Sequence, residues 1–339
     1  MASPKKLKNG RWRIRFYDYT DSSGKEHQKS ITAGTKSECL ALYRQYEAEK
    51  ERLIRSDLTV KEALNAYIDE KKPVLSPSTV RGYDGLARTA YEDIEDLPVK
   101  IIDSRKLQKW VNGMVSAGKA PKTISNAWGL LYPALKLQKP DVVYNIMLPQ
   151  KKLPSLRTPE DSDIKKVLEY VSKNDEELEL AIMLAAFCTL RRGEICALNA
   201  EDLAGNMLTI NKAYVENSDN EWILKTPKTY KSNRIIPVPD PVVKKIQDRK
   251  GPLFTINPNQ ITVRFSRVLD KCSVQHFRFH DLRHYSASIM HALGIPDEYI
   301  MQRGGWSSDH VMKRVYRGTM DDYTRSMTEK INDHFNTLL

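Results

Sequence analysis

Cysteine is scarce in this sequence, and long apolar runs are missing. Four cysteines stand far apart among 339 residues without a C-x-x-C pair: Cys39, Cys188, Cys196 and Cys272. This spacing argues against a disulfide framework and against a thiolate zinc site, and it predicts reduced thiols in or near protein cores. No stretch approaches the roughly 18 consecutive apolar residues of a membrane-spanning helix. Because the start, MASPKKLKNGRW, also lacks the apolar centre of a secretory signal, we expect a cytoplasmic protein with no membrane partner.

Acidic residues are outnumbered by basic ones. The chain has 54 Lys and Arg against 43 Asp and Glu, a formal net charge of +11. A basic surplus favours a polyanionic partner such as nucleic acid, because each Lys or Arg placed on a phosphate releases condensed counterions. A soluble protein that is merely basic is the alternative, and charge alone does not decide between the two. The length suits two or three domains, each with a core of its own.

Residues 1–54 have the pattern of a small sheet followed by a helix. Asn9-Gly10 is a hairpin signal, and apolar residues alternate with Arg11, Arg13 and Arg15 around it. A second turn, a third strand at 27–32 and a helix after Thr35 complete the unit. The arginines are expected on the sheet face away from the core. Such a face can enter the major groove of DNA, and a solvated charged surface is the alternative.

Residues 56–140 have the pattern of an all-helical domain. Thr59 and Glu62 form a capping-box pattern at its start, and four helical segments follow. Lys119, Lys122 and Thr123, at the entry of the last helix, are candidates for phosphate contact, because helix N-terminal N–H groups and cations favour an anion. A solvent-exposed lysine pair is the alternative. The Pro-rich stretch 141–157 is predicted to be an interdomain linker.

From residue 158 the pattern is mainly helical, with a few strands. Helical segments over 161–173 and 176–198 precede three predicted strands within 207–239, which we expect to form a small antiparallel sheet. The remainder, to residue 339, is predicted to be helical. The whole sequence therefore predicts an α+β multidomain protein: a three-stranded sheet with a helix, an all-helical domain, and a mainly helical domain with a small sheet.

Four short motifs of the last domain carry residues suited to chemistry. In chain order they are TLRRGE (189–194), PKT (227–229), HDLRH (280–284) and GGWSS (304–308), with Tyr316 ten residues after Trp306. Taken singly, each has an ordinary explanation, such as a helix salt bridge between Arg191 and Glu194. HDLRH also resembles the H-E-x-x-H zinc helix. However, Asp is one methylene shorter than Glu, Arg283 would place a positive charge beside the metal, and a catalytic zinc needs a third ligand. These three points argue against a zinc site.

In this order the motifs resemble those of the tyrosine recombinase (phage integrase) family, and the resemblance spans the whole chain. It implies the three-domain integrase type, with an arm-site DNA-binding domain at 1–54, a core-type DNA-binding domain at 56–140 and a catalytic domain at 158–339. The catalytic motifs are specific, whereas the first two domains match in pattern only. The family spacing selects Arg191 rather than Arg192, because one residue separates the family's arginine from its small-Glu pair.

The resemblance implies a role for each candidate residue of the catalytic domain. Arg191 and Arg283 would hold the non-bridging oxygens of the scissile phosphate, for which planar guanidinium groups are suited. They would stabilise the charge of the five-coordinate phosphorus with no metal or other cofactor. Lys228 would protonate the leaving 5′ oxygen, and His280 would assist proton transfer at the nucleophile. Glu194 would orient neighbouring side chains rather than react.

The nucleophile implied by the resemblance is Tyr316, which would form a 3′-phosphotyrosyl bond. Tyr323 is the rival, but the carboxylates of its DDY context would repel the phosphate. Trp306 stands where the commonest family pattern has histidine. Its indole N–H donates a hydrogen bond to phosphate but cannot shuttle a proton.

The resemblance thus implies a site-specific recombinase that integrates or excises a prophage or an integrative mobile element in a bacterial host. Its expected partners are double-stranded DNA with core-type and arm-type sites and further copies of itself, in a homotetramer on two duplexes with the C-terminal tail docked on the adjacent protomer. An excisionase or a DNA-bending accessory protein is compatible with this function. Two alternatives stay open: a type IB topoisomerase, with the same chemistry but no synapsis, and a non-catalytic DNA-binding protein of the same fold.

Overall fold

A computed structural model of the chain describes residues 3–20, 26–55, 58–151, 158–226 and 233–306, together with 308 and 332. The chain divides into two compact units, residues 1–153 and residues 154–339. Among the helices that the structure describes, none is long and apolar enough to cross a membrane.

The first unit begins with a three-stranded antiparallel sheet in the order β1-β2-β3, followed by a helix. Their bounds are β1 Lys5–Lys6, β2 Trp12–Thr20, β3 Glu26–Ala33 and α1 Lys36–Arg55. Gly10, with φ of 84°, turns the chain between β1 and β2, which is why glycine suits this position. Ile14 and Phe16 point into a core that includes Cys39 of α1. The predicted alternation is confirmed, and Arg11, Arg13 and Arg15 are exposed.

Four helices make up the rest of the first unit, as predicted. They are α2 Val60–Lys71, α3 Pro77–Thr89, α4 Ser104–Ser116 and α5 Pro121–Gln138, with a 3-10 turn at Val99–Ile101. The capping box at the start of α2 is confirmed: Thr59 N donates to Glu62 Oε2 at 2.8 Å, and Glu62 N donates to Thr59 Oγ1 at 3.2 Å. A core of buried side chains, with Trp110 and Leu130 among them, holds the helices together.

The stretch 141–157, predicted to be a linker, packs in part on the helical core of the first unit. Tyr144 is buried in that core. Asn145 N donates to Ser104 Oγ at 3.0 Å, and Met147 N donates to Gln108 Oε1 at 2.7 Å. These bonds tie 144–147 to α4. Residues 152–157 lie outside the described residues, and the three predicted domain boundaries stay predictions.

The second unit is mainly helical, as predicted, and it is built around α7. Its helices are α6 Asp161–Asn174, α7 Glu176–Cys188, α8 Arg192–Cys196, α9 Asp240–Ile246, α10 Pro258–Lys271, α11 Asp281–Ala292 and α12 Asp297–Gly304. From Leu178 to Ala186 every residue of α7 is buried, which is typical of a helix at the centre of a domain. The helix predicted over 176–198 is interrupted, because Thr189 adopts the left-handed conformation.

The strands of the second unit are divided between two small antiparallel sheets. They are β4 Leu203–Ala204, β5 Met207–Ile210, β6 Ala213–Glu216, β7 Trp222–Lys225 and β8 Arg234–Pro237, with sheet orders β4-β5-β8 and β6-β7. The stretch 207–215, predicted to be one strand, is two, because its halves pair with different partners. β5 pairs with β8, and β6 pairs with β7.

Candidate functional site

The site begins at the break between α7 and α8. Thr189 ends α7 with φ of 60° and is fully buried, an uncommon conformation for a β-branched residue. Arg191 follows in an extended conformation as the N-cap of α8. Its backbone N donates to Glu194 Oε2 at 2.9 Å, and its Nη1 donates to Glu194 Oε1 at 2.7 Å. The predicted Arg191–Glu194 pair is confirmed, and the start of a helix, rather than a helix face, creates it.

A second arginine, Arg234 of β8, holds the same carboxylate. Its Nη2 donates to Glu194 Oε2 at 2.8 Å, and its Nη1 donates to Glu194 Oε1 at 3.2 Å. Both side chains are about 95 % buried, with 4 % and 5 % of their surface exposed. Burial alone would raise the pKa of the Glu194 carboxyl. The hydrogen bonds and charges of Arg234 and Arg191 outweigh it and lower that pKa to about 2, so the carboxylate is ionised at neutral pH.

Arg283 enters the site from the first turn of α11. It is the largest fully buried side chain described, with 1 % of its surface exposed. Its Nη1 donates to the Thr189 carbonyl, and its Nη2 donates to the Gly304 carbonyl at 2.6 Å. Its guanidinium carbon lies 3.9 Å from the centroid of the Trp306 ring, within the range of a cation–π contact. The left-handed Thr189 thus presents a carbonyl to this arginine.

The end of α12 joins the three arginines. The carbonyls of Arg303, Gly304 and Gly305 are consecutive along the chain. They accept from Arg234 Nε at 2.9 Å, Arg283 Nη2 at 2.6 Å and Arg191 Nη2 at 3.0 Å, respectively. The last carbonyls of a helix have no partner within the helix and carry partial negative charge, so cations are favoured there. One helix end therefore fixes all three guanidinium groups.

His280 immediately precedes α11 and lies beside this cluster. Desolvation of its ring, and then the nearby His284 and Arg283, lower the pKa of the His280 imidazole to about 4, although part of the residue stays exposed. At neutral pH the ring is therefore uncharged, with one nitrogen able to accept a proton. The rings of His280 and His284 meet edge to face, with centroids 4.8 Å apart.

The carboxylate of Asp281, the acid of the HDLRH motif, accepts hydrogen bonds from an arginine. Arg278 donates to it through its backbone N at 2.7 Å, through Nη2 at 2.7 Å and through Nε at 3.1 Å. The Asp281 carboxylate is thus the N-terminal anchor of α11 and is not free to act as the general base that the zinc interpretation requires.

The cluster carries more positive than negative charge. Among the described residues of the cluster, Arg191, Arg234 and Arg283 surround the carboxylate of Glu194, which leaves two positive charges in excess. Burial, and then the neighbouring charge of Arg191, lower the pKa of the Arg283 guanidinium well below its usual value. Because arginine stays protonated in proteins, a bound anion would relieve this repulsion. The arrangement is suited to a phosphate group.

Two family models match this chain. The phage integrase family matches residues 157–321, and the N-terminal SAM-like domain of phage integrases matches residues 59–115. The chain belongs to the phage integrase family. It is an enzyme of the tyrosine recombinase type, which breaks and rejoins DNA strands at specific sites.

Relatives of this integrase among known proteins include two bacterial ones. A protein described as tyrosine recombinase XerC-like, from Caldanaerobacter subterraneus subsp. tengcongensis, is 22 % identical over 392 residues, covering 97 % of this chain and 98 % of the relative. An integrase from Saccharopolyspora erythraea is 32 % identical over 80 residues, covering 24 % of this chain and 18 % of the relative.

Solved structures of other integrases have the same fold. The Tn1549 transposon integrase in complex with transposon right end DNA matches with a TM-score of 0.67 at 18 % identity, over 81 % of this chain and 99 % of that one. The lambda integrase dimer bound to a COC′ core site matches with a TM-score of 0.58 at 17 % identity, over 94 % and 96 %. The lambda integrase tetramer bound to a Holliday junction gives 0.58 at 16 % identity, over 92 % and 94 %.

The structure brings most of the predicted catalytic residues of the integrase together. Arg191 contacts Glu194, and Arg283 contacts Trp306. The two pairs meet at the neighbouring carbonyls of Gly305 and Gly304, and His280 borders them. Arg192 points elsewhere, because its Nη1 donates to Thr262 Oγ1 of α10. Lys228 and Tyr316 lie outside the described residues, so their places in the site stay predictions.

The predicted DNA-binding residues all belong to the first unit. Arg11, Arg13 and Arg15 are exposed along β2 and the turn before it, as expected. Lys119 lies between α4 and α5, and Lys122 and Thr123 lie in the first turn of α5, which begins at Pro121. Both lysines are exposed, which is consistent with the phosphate interpretation and equally with an ordinary solvated pair.

Sequence reasoning missed Arg234 and the backbone of Thr189. Arg234 was assigned only to a strand, RIIP, in which alternate residues are buried. The signal available was an arginine at an inward position of a short apolar strand, since a buried arginine needs a charged partner. The part played by the Thr189 carbonyl had no signal, because any residue type carries a carbonyl.

Proposed function

We propose that this integrase cuts and rejoins DNA through a 3′-phosphotyrosyl link to Tyr316, with Arg191 and Arg283 as a clamp on the scissile phosphate. The observation that carries the proposal is the junction of these two arginines at neighbouring carbonyls, Gly305 and Gly304, with an excess of positive charge. Fixed guanidinium groups stabilise the charge of a five-coordinate phosphorus without reorganising during the reaction.

Access to the two arginines differs. Arg191 keeps 38 % of its side chain exposed, so a phosphate can reach it directly. Arg283 is buried, with 1 % of its surface exposed. Substrate binding in the proposed reaction therefore begins at Arg191 and is completed at Arg283. Glu194 keeps Arg191 oriented during both steps.

In the proposed reaction the Tyr316 oxygen attacks the phosphorus, and the bond from phosphorus to the 5′ oxygen breaks. His280, uncharged at neutral pH, accepts the proton of the tyrosine hydroxyl, and Lys228 protonates the leaving oxygen. Trp306 stacks on Arg283, and its indole N–H donates a hydrogen bond to the phosphate. The indole does not accept or release a proton during the reaction. Attack by a 5′ hydroxyl on the phosphotyrosine reverses these steps and rejoins the strand. The phosphodiester energy is stored in the covalent intermediate.

The proposed biological role is integration or excision of a prophage or another integrative element in a bacterial cell. Residues 1–54 would bind arm-type sites, residues 56–140 core-type sites, and residues 158–339 would carry the chemistry. The net charge of +11 supports a DNA partner. Synapsis would use a homotetramer on two duplexes with the C-terminal tail docked on the adjacent protomer. An excisionase or a DNA-bending protein would set the direction.

A covalent-trapping assay tests this function. Duplexes that bind the Tyr316→Phe protein are selected from a random-sequence pool, and versions with a nick near the centre are incubated with the unaltered protein in EDTA. We expect a protein–DNA adduct that resists denaturation and ends in a 3′ phosphotyrosine. Strand exchange between two selected duplexes then separates recombination from simple relaxation.

Two controls give the trapping assay its meaning. Tyr316→Phe should bind the same duplexes and form no adduct, whereas Tyr323→Phe should retain adduct formation. An adduct that survives Tyr316→Phe, or a wild-type protein that binds selected DNA without forming any adduct, would contradict the proposal. Adduct formation without strand exchange would favour a type IB topoisomerase.

A further inference from the structure

Arg234 lies at the centre of the site, with each of its three guanidinium nitrogens bonded to a protein group. Its side chain is 4 % exposed, and its neighbours are protein groups. Two of its nitrogens bind both oxygens of Glu194, the two-pronged geometry for which a planar guanidinium is suited. Its third nitrogen, Nε, donates to the Arg303 carbonyl at 2.9 Å. One side chain of β8 therefore ties α8 to the end of α12.

Both groups held by Arg234 are direct neighbours of the phosphate clamp. Glu194 binds the backbone and the guanidinium of Arg191. The carbonyl of Arg303 is followed along the chain by those of Gly304 and Gly305, which accept from Arg283 and Arg191. Arg191 thus binds a group that Arg234 also holds, and Arg283 binds the carbonyl of the residue that follows one.

The end of α12 is also held by contacts that do not involve Arg234. Thr189 Oγ1 donates to the Arg303 carbonyl at 3.2 Å, and the Arg303 guanidinium donates to the carbonyls of Pro237 and Phe187. These bonds anchor the end of α12 to α7 and to the end of β8, but none of them reaches Glu194. Among the described residues, Arg191 and Arg234 contact both Glu194 and the end of α12, and of these two only Arg234 is buried.

We propose that Arg234 is a positioning residue for DNA cleavage: it sets the geometry of Arg191 and Arg283 through Glu194 and the end of α12, without contacting DNA. This inference rests on the proposed function, because the clamp is its object. A misplacement of about 1 Å in a group that positions a reacting centre can cost on the order of 10²-fold in rate. Loss of Arg234 should therefore slow cleavage while leaving DNA affinity nearly unchanged.

The charges around Glu194 make the pH dependence of cleavage a test of the proposed role. A purely structural role of Arg234 would not change this pH dependence. The charged groups that face the Glu194 carboxylate are Arg191 from the start of α8, Arg234 from β8 and Arg283 from α11. Removal of Arg234 leaves burial opposed by fewer cations, so the pKa of Glu194 rises. A variant without this charge should lose cleavage activity as the pH is lowered, where the wild-type protein does not.

The experiment compares Arg234→Gln, Arg234→Lys and the control Lys245→Gln in the full chain. Lys245 pairs with Glu179 at 2.6 Å in the same unit, so its loss also removes a partly buried ion pair. Single-turnover adduct formation on the selected nicked duplex is followed across about pH 5 to 9, alongside duplex affinity and unfolding by urea. The wild-type protein is measured in every series.

We expect Arg234→Gln to form adduct on the order of 10²-fold more slowly, with DNA affinity within about twofold of wild type and a new loss of rate at low pH. Arg234→Lys should remove this low-pH loss, because it restores the charge, yet stay slower than wild type, because an ammonium cannot bind Glu194 in the same two-pronged way. Lys245→Gln should lower the free energy of unfolding and leave the rate of adduct formation and its pH profile unchanged.

The outcomes separate this inference from the proposed function. A folded Arg234→Gln protein with the rate and pH profile of wild type would overturn the positioning role while leaving the proposed function intact. Absence of adduct from the wild-type protein would instead refute the proposed function. If Arg234→Gln does not fold, Arg234→Lys decides: a rate equal to that of wild type overturns the inference, and a slower rate with unchanged affinity supports it.

Discussion

The guanidinium of Arg283 lies over the indole ring of Trp306, with its central carbon 3.9 Å from the ring centroid. Trp306 is itself buried against Ala287 and Ile300. The aromatic ring therefore connects the packing of α11 and α12 to Arg283, the arginine proposed to clamp the phosphate. In this protein the position that is commonly histidine in the family supports an arginine sterically, and it cannot move a proton.

Substitution of Trp306 should separate stacking from hydrogen bonding. Trp306→Ala removes a buried ring and should lower the free energy of unfolding by about 3 to 5 kcal/mol, with a large loss of adduct formation. Trp306→Phe keeps an aromatic face under Arg283 but lacks the indole N–H, so it should be more stable and more active than Trp306→Ala. Urea unfolding and single-turnover adduct formation measure the two effects. Equal activity of the two variants would argue against the stack.

Gly304, the last residue of α12, should tolerate no side chain. A Cβ placed on Gly304 would lie 1.9 Å from Trp306 Cζ3 and 2.1 Å from Cε3, far inside contact distance. Gly304→Ala should therefore displace the indole, with a cost of about 1 to 3 kcal/mol typical of overpacking, and slow adduct formation.

A glycine with open space around it supplies the control for Gly304. Gly85 of α3 meets nothing within 4 Å at its Cβ position. Gly85→Ala should stabilise the protein by up to about 1 kcal/mol, because alanine is the better helix former. Urea unfolding of both variants checks the contrast, and a Gly304→Ala protein as stable and as active as wild type would show that the indole is not held against Gly304.

The ion pairs of Glu194 should make stability depend on acid pH. The folded-state pKa of about 2 lies below the ordinary value of 4.5, so the stabilisation is complete above about pH 4.5 and is lost as the pH falls towards 2. The difference corresponds to about 3 kcal/mol. Glu194→Gln should be less stable than wild type at neutral pH, and the gap between the two proteins should narrow below pH 4.5. A gap that is constant from pH 7 to pH 3 in urea unfolding would contradict this.

The order of motifs predicted that four of the candidate residues lie together, whereas their catalytic roles stay predictions. Arg191, Glu194, Arg283 and Trp306 meet in the folded chain although 115 residues separate the first from the last along the sequence. The strand of Arg11, Arg13 and Arg15 and the capping box at Thr59 were predictable for a different reason, since alternation and capping are local patterns.

The backbone acceptors of the site were not predictable from the sequence. Three of the described contacts of the clamp arginines end on carbonyls, of Thr189, Gly304 and Gly305, and every residue type offers a carbonyl. The left-handed Thr189 was also unexpected, because the apolar run before it continues smoothly into a predicted helix. Arg234 was missed because its partner, Glu194, is 40 residues away and on a different element.

The arginines of the first sheet should contribute to DNA binding through salt-dependent contacts. Arg11, Arg13 and Arg15 are exposed, and each phosphate contact contributes about 0.9 to the slope of log affinity against log salt. In a Tyr316→Phe background, replacement of all three by Gln should weaken binding to selected DNA and reduce the slope by up to about 3, measured between about 50 and 200 mM salt. Replacement of three exposed lysines of α6, Lys165, Lys166 and Lys173, removes the same charge from the second unit. If both triple variants lose the same affinity, net charge rather than an arm-type contact explains the loss; an unchanged affinity of the arginine variant removes these residues from the interface.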